Sequence, residues 1–211
     1  MATALDREVR RLLEKAVRKA RIAEVLGQVR MADPERISRA YPVMLSGGMR
    51  QRILIAMALL SEPRLLIADE PGAALDVTTQ AQILKLLREL VEARGLALLM
   101  ITHNLGVVRE SADQVFVMYA GCVVEQGPTH AVFAKPRHPY TRALMACTPK
   151  LSGGGAMRGI DGSLPDYAAP PQGCRFAPRC ALAVEACLSA PPHFEVAPRQ
   201  SAACWRLEAT A

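Results

Sequence analysis

The sequence predicts an α/β fold organised around parallel strands, and three observations predict it. Leu65 to Ala68 and Leu96 to Thr102 are two continuous apolar runs, the pattern of strands buried in a parallel sheet. Each run stops abruptly in polar chemistry, Asp69-Glu70-Pro71 after the first and His103-Asn104 after the second. Between them Ile83, Leu86, Leu87, Leu90 and Val91 recur at i, i+3, i+4, i+7 and i+8, so Thr78 to Arg94 reads as a core-packed helix that Gly95 ends.

The remaining elements follow in chain order. Leu5 to Arg30 is an amphipathic helix in which Val9, Leu12, Leu13, Ala16 and Val17 repeat opposite Arg10, Arg11, Lys15, Arg18 and Lys19. Its basic side reads as a solvated face; a nucleic-acid patch would interleave aromatic residues, and none occur here. Ser46 is an N-cap for a helix over Gly47 to Leu60, whose later turns, Ile53 to Leu60, are apolar all round and predict burial. Gln114 to Tyr119 and Cys122 to Glu125 predict a hairpin turning at Ala120-Gly121. That makes four strands. After Thr148 the composition shifts to Gly, Pro and Ala, and Ser152 to Gly155, Gly162 and Ala168 to Gly173 read as an extended linker.

Two places carry chemistry. Arg50 and Arg52 lie in the first turn of the Ser46-capped helix, at the positive end of its dipole, which predicts a nearby anion. Gly47 and Gly48 let backbone N–H groups approach such an anion, and helix N-termini bind phosphate for this reason. The blander alternative is a capped helix with solvated arginines. The second place is the carboxyl end of the strands, where ligands of open α/β sheets sit. There Asp69 is suited to hold Mg²⁺ through water, Glu70 to orient and polarise an attacking water, and His103 to donate to a phosphate oxygen. Against this stands the phosphate grip itself: no Gly-x-x-x-x-Gly-Lys-Ser/Thr loop, and no Gly-Lys pair, occurs in the 211 residues.

Taken in order, Leu45-Ser46-Gly47-Gly48-Met49-Arg50-Gln51-Arg52, Leu65-Leu66-Ile67-Ala68-Asp69-Glu70-Pro71, Ala74-Leu75-Asp76 and Ile101-Thr102-His103 resemble the second half of an ABC-type ATPase. Gln126-Gly127-Pro128, Arg137-His138-Pro139-Tyr140-Thr141-Arg142-Ala143-Leu144 and the cysteine-bearing tail are similar to ATPase subunits of bacterial oligopeptide/dipeptide permeases. The resemblance implies the C-terminal part of an ABC-type P-loop ATPase domain. A helical-subdomain remnant and signature helix would occupy 1–60, and the catalytic-core half with Walker B strand, D-loop and switch histidine 61–135. A permease-type extension would occupy 136–211. Walker A and the Q-loop would lie upstream of Met1, as in a truncated subunit.

The same resemblance implies roles and partners. Ser46, Gly47, Gly48, Gln51 and Asp76 would complete an ATP site held by a second ABC ATPase subunit, in a homo- or heterodimer, whereas Glu70 and His103 would be the catalytic residues, and Asp69 the Mg²⁺ contact, of this chain's own site, whose phosphate grip the sequence lacks. It further implies ATP with Mg²⁺, transmembrane permease subunits, an indirect peptide-binding protein, no nucleic acid, and a peripheral place on the cytoplasmic face of the bacterial inner membrane. Alternatives are a degenerate subunit that only completes a partner's site, and an ABC ATPase for another substrate such as nickel. The chain departs from the family's usual pattern at Val43-Met44, Gly72, Ala73 and Asn104, each the loss of a more polar or acidic residue.

Composition agrees with a core-forming chain: 51% of residues are hydrophobic, the formal net charge is +6 and the mean hydropathy is +0.13. No leader or span is read, since Asp6, Arg7 and Glu8 interrupt the start and the longest apolar run, Ile53 to Leu60, is far below the ~20 residues a bilayer needs. Apolar surface and unpaired strand edges are expected where a fuller domain would cover them. Cys174, Cys180, Cys187 and Cys204 lack a close Cys-x-x-Cys pair, so four thiolates fit an iron–sulfur cluster better than zinc, with zinc and idle thiols as the alternatives. The permease resemblance implies a [4Fe–4S] cluster on these four, with Arg175, Arg179 and Arg206 offsetting its charge. Cys122 and Cys147 read as small buried hydrophobes.

Overall fold

The computed structural model describes residues 4–147 and 159–210, with backbone alone for 4–10 and 208–210. The Ser152 to Gly155 part of the expected linker lies outside the described residues. The chain divides between His103 and Asn104 into two compact units, a division that falls inside the expected 61–135 segment.

The first unit contains α1 (Ala4–Gln28), α2 (Pro34–Ile37), α3 (Gly47–Leu59), β1 (Leu65–Asp69), α4 (Val77–Arg94) and β2 (Ala97–Ile101). Local chemistry sets the ends of α4. Asp76 is its N-cap, accepting from Thr79 N at 3.0 Å, and Gly95 closes it at φ 62°, a left-handed conformation that glycine adopts without a Cβ penalty. As the helical crossover, α4 lets β1 and β2 pair in parallel, with Leu65 opposite Ala97 and Asp69 opposite Ile101. Ile83, Leu86, Leu87 and Leu90 of α4 are buried together with Val25, Val29, Ile55, Leu59 and Leu66.

Two expectations about burial are corrected. Strand β1 is not buried on both faces: Leu66 is buried, whereas Leu65 and Ile67 are exposed, as are Leu99 and Ile101 of β2. Among the described residues only one face of this two-stranded sheet is covered, so the expected apolar surface is present and neither strand has a second neighbour. Helix α3 likewise buries Ile55, Ala56 and Leu59 but leaves Leu54 and Met57 exposed, because it packs against α1 and α4 on one side.

The second unit contains α5 (Leu105–Ser111), β3 (Gln114–Tyr119), β4 (Cys122–Pro128), α6 (Thr129–Ala134), α7 (Pro139–Ala146), β5 (His193–Ala197) and β6 (Gln200–Ala203). The hairpin turns where expected, with Ala120 at φ 49° and Gly121 at φ 83°. Six strands are described rather than four, since β5 and β6 extend the hairpin into an antiparallel sheet in the order β3-β4-β6-β5. Tyr119, Tyr140 and Phe176 pack with ring centroids 4.7 to 5.4 Å apart. Among the described residues no helix is long and apolar enough to cross a membrane.

Glu125 and His138 hold this unit together. The fully buried Glu125 carboxylate accepts from Arg137 N, His138 N and Gln200 Nε2, each at 2.9 Å, which offsets the cost of burying it. His138 caps α7, its Nδ1 accepting from Tyr140 N at 3.0 Å. Burial, helped by Arg142 and His193, lowers its pKa from the usual 6.5 to about 4. Because the ring stays neutral in the folded chain where it would be protonated in the unfolded one, stability is full above pH 6.5 and is lost progressively as pH falls toward 4. Between pH 7 and 5 this loss amounts to about 2 kcal/mol. His138→Asn keeps an acceptor for the cap but removes the titration, so urea unfolding at the two pH values should show that loss in the parent chain and not in the variant.

Candidate functional site

The first unit gathers its candidate residues into two groups. The first forms at the carboxyl ends of β1 and β2, where parallel pairing carries Glu70 next to Thr102 and His103, 33 residues away. Glu70 leaves the strand at φ 43°, a conformation uncommon for a residue with a side chain, and its N–H donates to Ile101 O at 2.9 Å. Its carboxylate accepts from His103 N at 2.9 Å and Thr102 Oγ1 at 3.2 Å, and His103 Nδ1 lies 2.5 Å from Oε1. The His103 side-chain hydrogen bond holds the Glu70 carboxyl below the usual carboxylate range, against an opposing effect of burial.

This contact assigns the ring nitrogens different tasks. With Nδ1 donating to Glu70, Nε2 is the nitrogen left to face a ligand, on a side chain that is 85% exposed. A neutral ring offers Nε2 as an acceptor; a protonated one offers it as a donor. Asp69, at the end of β1, is exposed and presents a hard oxygen donor at the same strand ends.

The second group is a steric corner between the start of α3 and the start of α4. Ser46 caps α3, its Oγ accepting from Met49 N at 3.3 Å. Asp76 accepts from both the N–H and, at 2.6 Å, the hydroxyl of Thr79, and the Thr79 side-chain hydrogen bond is the main reason its carboxyl is held low. A β-carbon at Gly47 would stand 3.1 Å from Leu75 Cδ2, and one at Gly48 only 2.6 Å from Thr79 Cγ2. The two glycines therefore allow close contact with the turn that ends in Asp76. Gln51 is half-buried one turn further along α3.

Arg52 corrects the expectation of an anion beside both arginines. Its guanidinium donates to Val29 O at 2.9 Å and to Gln82 Oε1 at 3.3 Å, so carbonyl oxygen beyond the C-terminal end of α1 meets the charge. Arg50 remains exposed. Thr79 and Gln80 were missed by pattern reading, yet Gln80 explains one departure: a β-carbon at Gly72 would come 2.5 Å from Gln80 Cγ. Asn104 caps α5, accepting from Gly106 N at 3.0 Å and Val107 N at 3.3 Å. Val43 and Met44 are exposed.

In the second unit the four tail cysteines are neighbours. Cys174 N donates to Cys187 O at 2.9 Å, and burial raises the Cys174 thiol, with Cys187 and Cys204 adding to the effect. Burial also raises Cys204, with Cys180 and Cys187 adding. Among the described residues, however, no three His, Cys, Asp or Glu side chains are grouped so as to hold a metal ion. The three arginines expected to balance a cluster donate to backbone carbonyls: Arg175 to Ala120, Arg179 to Asp161 and Ile160, and Arg206 to Leu182. Cys122 and Cys147 are half-buried.

Residues 2–73 match the family described as ABC transporter, and residues 124–187 match the oligopeptide/dipeptide transporter C-terminal region. These two segments thus carry an ABC transporter region and an oligopeptide/dipeptide transporter C-terminal region. The chain is 51% identical over 197 residues to a Sinorhizobium fredii protein named a probable peptide ABC transporter ATP-binding protein, covering 92% of this chain and 57% of that one. It is 46% identical over 200 residues to the oligopeptide transport ATP-binding protein OppD of Salmonella typhimurium, covering 92% and 60%. The chain thus spans less than two thirds of the length of these relatives. Among solved structures it is similar to cbiO1 of Clostridium perfringens, part of the ABC transporter complex cbiONQ. There the TM-score is 0.51 at 36% identity, over 58% of this chain and 47% of that one.

The packing at Gly48 makes a stability prediction. Gly48→Ala should cost about 1 to 3 kcal/mol by overpacking Thr79. Thr79→Ser removes the clashing methyl and keeps the hydroxyl for Asp76, so adding it should recover much of that loss. A double-mutant cycle in denaturant that returns simple additivity would contradict the contact.

Proposed function

We propose that the chain is part of an ATP-hydrolysing subunit that energises import of oligopeptides or dipeptides by an ABC transporter. The observation that carries this reading is the Glu70 carboxylate gripped by Thr102 and His103 at the ends of two parallel strands. The match at residues 124–187 and the relatives' names support peptides as the cargo.

Glu70 orients and polarises the attacking water, its carboxylate held in position by Thr102 and His103. His103 Nε2 meets a phosphate oxygen. Asp69 fits Mg²⁺ through water, and that ion, when bound, stabilises charge on the phosphoryl oxygens. Ser46, Gly47, Gly48 and Gln51 close on ATP held by a second ABC ATPase subunit, and Asp76 faces the same partner while capping α4. The subunit works at the cytoplasmic face of the membrane against transmembrane permease subunits, with a peptide-binding protein upstream of them. The segments 1–60, 61–135 and 136–211 take the roles of signature, hydrolytic core half and permease-type extension.

For the tail, the permease resemblance alone favours a [4Fe–4S] cluster on Cys174, Cys180, Cys187 and Cys204. As described, these thiols do not fit a ligand set, and no step of hydrolysis runs through them. A second reading, supported by the Ser46-capped start of α3 with its two glycines, is a subunit that only completes its partner's ATP site.

Reconstitution with an ABC ATPase polypeptide that carries a phosphate-binding lysine loop separates the two roles. Ser46→Arg should abolish the turnover that this chain adds to its partner. Glu70→Gln should lower it by about 10² to 10⁴ only if Glu70 works on a complete site. Unchanged ATPase rates for Ser46→Arg would overturn the composite site, and unchanged rates for Glu70→Gln alone would leave the purely completing role.

A further inference from the structure

The first half of α1 carries an apolar stripe that the fold does not use. Residues 11–20 are all exposed, including Leu12 at 61%, Leu13 at 62% and Val17 at 68%. At about 100° per residue, Leu12, Leu13, Ala16, Val17 and Ala20 share one side of the helix. Val25, Leu26 and Val29, by which the second half of α1 joins the core, point to the other side. The stripe is therefore not an overhanging end of the packed face. Arg11 and Arg18, rather than apolar residues, continue the line of Val25 toward the N-terminus.

The polar side of this half-helix is basic. Arg11, Lys15, Arg18 and Lys19 occupy it, with Lys19 nearest the edge of the stripe. Glu14 lies 3.7 Å from Arg18 and Glu35 lies 2.8 Å from Lys19, so two of the four charges are partly offset on the surface. A helix with a leucine-bearing side, a strongly charged side rich in Lys and Arg, and low overall hydrophobicity has the composition that lies in the plane of a bilayer surface.

We propose that the first half of α1 is a lipid-facing amphipathic helix that seats Leu12, Leu13 and Val17 at the surface of an anionic membrane. The basic side chains select negative headgroups, because each Lys or Arg near such a surface adds attraction and because long stems let the charge reach the headgroup level. This contact is independent of nucleotide hydrolysis and requires no permease subunit.

The test is co-sedimentation of the full chain with vesicles of phosphatidylcholine and phosphatidylglycerol, compared with vesicles of phosphatidylcholine alone. The anionic vesicles should bind at least about tenfold more tightly. Leu12→Asp with Val17→Asp should weaken that binding about a hundredfold, and Arg11→Gln with Lys15→Gln about thirtyfold. The altered positions are exposed, so circular dichroism and the thermal midpoint should match the parent chain. Equal binding to both vesicles, binding to neither, or binding untouched by the variants would overturn the proposal. So would concentration-dependent self-association that the Leu12→Asp and Val17→Asp chain loses, since the stripe would then be a protein contact.

Discussion

Glu70 and His103 are distant in sequence and reach each other only because α4 carries the chain back so that β2 can run parallel to β1. An antiparallel return would put the far end of the second strand beside Glu70. The right crossover length, a clean cap at Asp76 and a clean stop at Gly95 are thus prerequisites for a carboxylate and an imidazole at one strand-end. The helix core of Ile83, Leu86, Leu87 and Leu90 stabilises that geometry from beneath.

Elements governed by local chemistry were legible in the sequence. The α4 stripe, its caps, the turn at Ala120-Gly121 and the Ser46 cap all express forces acting within a few residues. The polar ends of the two apolar runs likewise pointed to the strand-end cluster. What escaped notice depends on partners far along the chain. Arg52 looked like an anion ligand because nothing near it in sequence reveals Val29 O and Gln82. Strand β6 is four residues of Gln, Ser and Ala, so no alternation marks it, and β5 alternates Phe194 and Val196 with polar residues over only five; pairing of β6 with β4, and of β5 with β6, makes them strands. The apolar run of β1 gave no sign that one side would be uncovered, since period and hydrophobicity do not reveal what packs above a sheet.

The corner formed by Gly47, Gly48, Leu75, Asp76 and Thr79 joins two candidate roles mechanically. Ser46 and Asp76 each spend side-chain hydrogen-bonding capacity on a helix start, and that use holds them in place. A group immobilised before a ligand arrives needs little further ordering, which is how a small number of contacts can act with useful strength.

Glu125 sits 75 residues ahead of Gln200, one of its three donors. During synthesis its carboxylate leaves the ribosome with two of those three N–H groups close behind it in the chain and the last far behind them. Burying a carboxylate with its set of donors incomplete is unfavourable, so the second unit stays unfinished until Gln200 has emerged. Its closure is a late, long-range event, and the half-made sheet is the stage at which nascent chains would need protection from aggregation.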